Sequence, residues 1–189
     1  MKETVKAIID KIEKLNPDRC IVAIDGRCAA GKSTLAKELS RILNCSVIHM
    51  DDFFLRPSQR TEERLNEAGG NIDYERFLEE VITPIKRKEK FSYRPFDCHI
   101  LDFSGSIEMD LTNVIIIEGS YSCHPKFEDA YDLKIFLDVD RDEQLDRIEK
   151  RNGKNQLSAF QNRWIPLEEK YFEEFNIKEK CDMHFNINF

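Results

Sequence analysis

Residues Gly26-Arg27-Cys28-Ala29-Ala30-Gly31-Lys32-Ser33 read G-x-x-x-x-G-K-[ST] without interruption, and no other feature constrains the fold of this chain as strongly. The run Cys20-Ile21-Val22-Ala23-Ile24 precedes it, apolar throughout as a parallel strand buried on both faces must be. Residues 33–43 follow with helical spacing. Strand, glycine-rich turn and helix in that order build a cradle. Successive backbone N–H groups line a concavity, and the helix N-terminus adds its partial positive charge to hold a phosphate chain. Lys32 is expected on the β- and γ-phosphates, the Ser33 hydroxyl in a Mg²⁺ shell and Thr34 near the α-phosphate. Gly26, Arg27, Cys28, Ala29, Ala30, Gly31, Lys32, Ser33 and Thr34 are therefore the expected nucleotide-binding residues, with ATP and Mg²⁺ as cofactors. The positive potential of such a loop is expected to lower the thiol pKa of Cys28, which points to redox sensitivity, against the plainer reading of a small side chain that fits between the glycines.

The rest of the chain supports an α/β fold. Val5, Ile8, Ile9, Ile12 and Leu15 follow the i, i+3, i+4, i+7 spacing of an amphipathic helix closed by Asn16-Pro17. Residues 46–50, 114–117 and 133–137 are further short apolar strands, and residues 142–151 read as a helix. Between them lie a polar stretch at 56–71, expected as a long functional loop, and a helix carrying Tyr74, Phe77, Leu78, Val81, Ile82 and Ile85 on one face. Two short strands at 91–96 and 98–103, followed by a Ser104-Gly105-Ser106 turn, suggest a hairpin insertion. Alternating strands and helices imply a sheet covered on both sides, with ligands beyond the carboxyl ends of its strands. No repeat or linker divides residues 1–189, so a single domain is expected.

Charge and cysteine usage remove other classes. With 36 acidic and 29 basic residues the net charge is -7, which argues against a protein that binds nucleic acid by neutralising its phosphates. The aliphatic runs are too short to cross a bilayer, and the first residues lack a signal-peptide pattern, so neither a membrane nor an export route is expected and the cytoplasm is the expected compartment. Six scattered cysteines form no C-x-x-C pair, favouring reduced thiols over a zinc site. A homo-oligomer is compatible with all of this.

Asp51 follows the second strand and Glu118 the third, so both should emerge in the crevice that holds the phosphate loop. Phosphoryl transfer calls for one carboxylate to orient or deprotonate the acceptor hydroxyl and another to hold the metal shell; Asp51 suits the first role and Glu118 the second. Asp52 is expected to point the other way, as successive side chains of an extended segment do. No N-K-x-D segment is present to read guanine, which leaves ATP as the expected donor, and a nucleotide-binding regulatory module is the reading from another class.

The chain resembles the uridine kinase family of P-loop kinases, whose relatives include phosphoribulokinase and type I pantothenate kinase. The resemblance rests on residues 26–34, Met50-Asp51-Asp52-Phe53-Phe54, Asn71-Ile72-Asp73-Tyr74, Pro95-Phe96-Asp97, Ile117-Glu118-Gly119, Phe136-Leu137-Asp138-Val139-Asp140, Arg147 with Arg151, and Cys181-Asp182 near the last strand. It implies a five-stranded parallel sheet flanked by helices, with a small β-hairpin insertion and a short lid. It also implies ATP-dependent transfer to a small metabolite, first of all the 5′-hydroxyl of uridine or cytidine, with pantothenate, another riboside or a sugar phosphate as alternatives. By the same resemblance Asp51 is the catalytic base alongside Lys32, Glu118 the Mg²⁺-associated acid and Asp73 an acceptor for sugar hydroxyls. Phe54 and Phe96 flank the acceptor, His99 matches the family's hairpin histidine with a shift, and Arg147 and Arg151 belong to the lid helix. The chain departs from the family at residues 153–164, which do not resemble the usual lid, and Phe54 and Phe96 stand where tyrosines are usual.

Overall fold

The structure is a computed structural model that describes residues 2–15 and 19–187; the expected stop of the first helix at Asn16-Pro17 lies outside the described residues. Helix α1 (Lys2–Leu15) leads to strand β1 (Cys20–Gly26), helix α2 (Lys32–Leu43) and strand β2 (Ser46–His49). After a 3₁₀ turn, Met50–Phe53, come the short helices α3 (Glu62–Asn66), α4 (Tyr74–Phe77) and α5 (Thr83–Arg87). Strands β3 (Phe91–Tyr93), β4 (Phe96–Asp97), β5 (Asp102–Phe103) and β6 (Ile107–Met109) form an arm before β7 (Val114–Glu118) and β8 (Leu133–Asp138). Helices α6 (Arg141–Asn152), α7 (Lys154–Ala159) and α8 (Ile165–Phe175) and strand β9 (Met183–Asn186) complete the order.

β2, β7, β1, β8 and β9 lie side by side in that order, every pair parallel. β1 sits at the centre and is buried at every position, as its unbroken apolar sequence demands. Its side chains divide with the period of two: Cys20, Val22 and Ile24 join α1 and α2 in one core, while Ile21 and Ala23 join α4, α5 and α8 in the other. Full burial of Ile21, Val22 and Ile24 contributes about 1.5–3 kcal/mol each. The sheet is thereby clamped from both faces, which fixes the height at which its strand ends open.

Three local expectations change. Residues 56–71 are not a bare loop: they hold a 3₁₀ turn, Pro57–Gln59, and α3, whose N-cap Thr61 accepts from the Arg64 N–H. The hairpin arm has two separate ladders, β3 with β6 and β4 with β5, so residues 98–101 are its turning tip rather than strand. Residues 154–164, which lacked a recognised lid pattern, are helical. Two helices also widen into π turns, Leu78–Ile82 and Phe160–Trp164, each two residues before a proline, Pro84 and Pro166. Proline has no N–H to give the preceding turn and its ring crowds a carbonyl there; the π turn absorbs both problems, and the helix continues.

Candidate active site

At the end of β1 the backbone turns at Gly26 with φ 132°, and a Cβ there would stand 2.0 Å from the Leu137 carbonyl oxygen. Only glycine can pass. The loop closes on Gly31, the left-handed N-cap of α2. Lys32 is buried, and its ammonium donates to the carbonyls of Gly26 (2.6 Å) and Arg27 (2.9 Å) and to the Ser120 hydroxyl (3.2 Å). Side chains from distant elements tie the loop from outside. Arg27 pairs with Asp138 at 2.7 Å and with Glu169, Gln144 donates to the Cys28 carbonyl at 3.1 Å, and Arg147 donates to the Ala29 carbonyl at 3.1 Å.

Two buried carboxylates complete this frame. Glu168 of α8 accepts from the Cys28 N–H at 3.0 Å and from the Ser120 hydroxyl at 2.6 Å. Asp25 accepts from the N–H groups of Gly26, Tyr121 and Cys123 and from the Tyr171 hydroxyl, and burial pushes its carboxyl up to about 6. The Cys28 thiol moves opposite to expectation. Burial first, and the neighbouring Glu168 charge next, push it up to about 12, so it stays a thiol at neutral pH.

β2 and β7 are neighbours in register, His49 opposite Glu118. Glu118 is buried; one of its oxygens lies 3.3 Å from the Ser33 hydroxyl and the other 2.5 Å from His49 Nδ1. The hydrogen bond to Glu118 raises the His49 pKa against the opposing effect of its burial. Immediately afterwards Gly119 (φ 137°) lets β7 pass tightly under the turn after β2, for a Cβ there would meet the Met50 Cβ at 2.8 Å. The Asp51 carboxyl is thereby brought within the charge influence of both Lys32 and Glu118. Asp51 and Asp52 leave a 3₁₀ turn, not an extended segment, yet still diverge. Asp52 accepts from the Tyr93 hydroxyl at 2.9 Å, whereas Asp51 is exposed to the crevice. Protein nevertheless surrounds the Asp51 carboxyl on most sides, and this desolvation raises its pKa, with Glu118 and Asp52 adding to the rise and Lys32 opposing it.

An open recess of about 550 Å³ beside Arg27 is lined by Asp138, Asp140, Gln144 and Pro166 among others. It includes none of Lys32, Ser33, Asp51 or Glu118, so it is not the crevice in which those four meet.

A family model described as an AAA domain matches residues 22–163. The chain is 28% identical over 170 residues to the uridine kinase of Chlamydia pneumoniae, covering 81% of this chain and 76% of that protein. It is 30% identical over 168 residues to nicotinamide riboside kinase 2 of Homo sapiens, covering 82% of this chain and 69% of that protein. The chain belongs to the uridine kinase-like family of P-loop kinases. The solved structure of a "Possible Uridine Kinase" from Bacillus stearothermophilus superposes with a TM-score of 0.74 over 97% of this chain and 98% of that one, at 19% identity, which confirms the fold.

Within this family frame the remaining expected residues fall in different places. Asp73 is buried as the N-cap of α4: its oxygens accept from the Arg76 N–H (3.1 Å) and the Gln59 amide (2.8 Å). Phe54 is half-buried and forms an isolated bridge with Ile72; Phe96 is buried in β4. His99 is exposed at the hairpin tip. Arg147 serves the loop carbonyl already described, while Arg151 is exposed, bonded to Asn152 and placed over the Phe160 ring. His49, Ser120, Glu168 and Asp25 were not among the sequence candidates. The alignment of strand ends could have flagged His49, one residue before Met50-Asp51, whereas nothing local to Glu168 announces a contact 140 positions away.

Proposed function

We propose that the protein transfers the γ-phosphoryl group of ATP to the hydroxyl of a small riboside, with the 5′-hydroxyl of uridine or cytidine as the first acceptors to test. The observation that carries this reading is the convergence of Lys32, Ser33, Glu118 and the open Asp51 carboxyl at neighbouring strand ends. Asp51 takes the proton of the acceptor hydroxyl as the new oxygen–phosphorus bond forms. The bond between the γ-phosphorus and its bridging oxygen breaks, and ADP leaves with that electron pair. The raised Asp51 pKa makes it a stronger base than an aspartate surrounded by water. Lys32 and the loop N–H groups hold the phosphates.

Oxygen donors at Ser33 and Glu118 fit Mg²⁺, which is commonly held by few protein groups together with phosphates and water. Among the described residues no cluster of three His, Cys, Asp or Glu side chains offers a self-sufficient metal cage, in keeping with such a shared shell. Bound there, Mg²⁺ would neutralise charge on the β- and γ-phosphate oxygens. Asp73 supports the riboside reading if its carboxylate exchanges Gln59 for sugar hydroxyls. The test is acceptor-dependent ADP release over nucleosides, other ribosides, pantothenate and sugar phosphates, with Lys32→Ala as the inactive control. A protein that binds ATP and releases ADP with none of them is a regulatory module instead.

A further inference from the structure

Arginines crowd the acceptor side of the crevice although the chain as a whole carries a net charge of -7. Most are neutralised in place. Arg64 pairs with Glu75, Arg76 with Asp73 and Glu80, and Arg94 with Glu80. Arg56 and Arg60 differ, because neither has a carboxylate partner among the described residues. The Arg56 Nε reaches the Gln59 side-chain oxygen at 3.4 Å and the Arg60 Nε reaches the Leu55 carbonyl at 3.0 Å, which leaves the terminal NH₂ groups of both free to bind.

Their positions are set by the hairpin. The Arg56 guanidinium lies 4.8 Å from the centre of the Phe103 ring, and that of Arg60 lies 5.8 Å from the centre of the Phe96 ring. Phe96 and Phe103 are directly opposed on the β4–β5 ladder, a spacing of roughly 5 Å between Cβ atoms. The two cations are thus held over the paired rings of a single rung, on one face of the ladder. β4 packs against the 3₁₀ turn Met50–Phe53 that carries Asp51. Gln59, which accepts from Arg56, donates in turn to Asp73 at 2.8 Å. Asp97 and Asp102, the acidic residues on the same ladder, are spent locally, accepting from the backbone N–H groups of His99 (2.7 Å) and Phe103 (2.9 Å).

We propose that Arg56 and Arg60 form an anion subsite of the acceptor pocket, so that the acceptor carries a carboxylate or phosphate besides the hydroxyl that is phosphorylated. The proposal rests on the kinase reading above and narrows its substrate class. An unpaired guanidinium beside a reacting hydroxyl binds an oxyanion through parallel N–H donors and disfavours a cationic acceptor.

The experiment measures kcat/KM of the full chain with ATP for acceptors matched in scaffold and differing in charge: 5-carboxycytidine against cytidine, orotidine against uridine, and a pentose 5-phosphate against the free pentose. The first two pairs supply a carboxylate and the third a phosphate, which identifies the source. The anionic member of at least one pair should be preferred about tenfold or more, the scale of a charge-assisted contact. Arg60→Gln and Arg56→Gln should raise KM for that anionic acceptor about tenfold while leaving the KM of ATP and the use of the neutral member unchanged. Arg60→Lys should restore part of the preference. Equal or better use of the neutral members overturns the subsite, as does a drop in kcat common to all acceptors, which would assign these arginines to the transferred phosphoryl group. In both of those cases the kinase reading stands. If no acceptor in the wider panel is phosphorylated, that reading falls and this one falls with it.

Discussion

Asp51 and Asp52 are adjacent in sequence and differ in surroundings, and exchanging each for asparagine separates their roles. Asp51→Asn keeps the size of the side chain and removes the proton acceptor. It also takes one negative charge away from the region of Glu118 and Asp52, the two carboxylates that raise the Asp51 pKa, so ATP affinity should hold or improve. Turnover should fall about 10²-fold or more, the usual scale for a lost general base, which corresponds to at least about 2.7 kcal/mol of barrier. Asp52→Asn is a different lesion. The Tyr93 hydroxyl can still donate to the asparagine oxygen, and Arg76 binds the backbone carbonyl of residue 52 at 2.7 Å, which the substitution leaves in place. Weakening one hydrogen bond costs about 0.5–1.5 kcal/mol of stability and should leave turnover within a few-fold of the parent. The assay pairs calorimetric ATP affinity with acceptor-dependent ADP release for both variants. If Asp52→Asn is the dead enzyme while Asp51→Asn turns over near the parental rate, the base has been assigned to the wrong carboxylate.

Glu118→Gln should raise the Mg²⁺ concentration needed for half-maximal rate, with partial recovery at high Mg²⁺ or Mn²⁺; a loss indifferent to metal would take Glu118 out of the metal shell. Glu168→Gln should tighten ATP binding several-fold in calorimetry, since a carboxylate bonded to a loop N–H repels the phosphates that loop must hold; weaker binding would instead make Glu168 a support for Lys32 acting through Ser120. Stability should depend on pH through Asp25, whose folded pKa of about 6 lies above its ordinary 3.8. A raised pKa means stability that is complete below about 4 and lost as pH rises through 6, on the order of 3 kcal/mol. His49, Asp51 and Asp52 are raised as well and act in the same sense. Urea midpoints should therefore be higher at pH 5 than at pH 7, and Asp25→Asn should flatten that difference while lowering stability at both, because an amide cannot accept all four donors now on the carboxylate.

What the sequence discloses about this site follows from how far each contact reaches along the chain. The phosphate loop is legible because its function needs consecutive residues, and Gly26 fails with any side chain whatever surrounds it. Asp51 and Glu118 are legible one step later: parallel strands end at a common edge, so two carboxylates that each follow an apolar run must meet there, and β2 beside β7 brings them together. The 3₁₀ turn under Asp51 was hidden, because its cause is the close passage of Gly119 beneath Met50 and that contact spans the sheet. Glu168 and Ser120 were hidden for the same reason, and so was the reversal at Cys28; Arg147 was named in the sequence, but its bond to the Ala29 carbonyl was not. A phosphate loop viewed alone predicts an activated thiol, whereas the loop packed under α8 has lost its water and gained a carboxylate. The π turn before Pro166 lets one continuous helical path run from Lys154 to Phe175, and that path carries Glu168 and Glu169 to the loop. Residues 153–164 look unlike a lid in sequence, yet they set the reach of the helix that grips the phosphate loop, so the departure from the family pattern and the unforeseen loop contacts have a single structural origin.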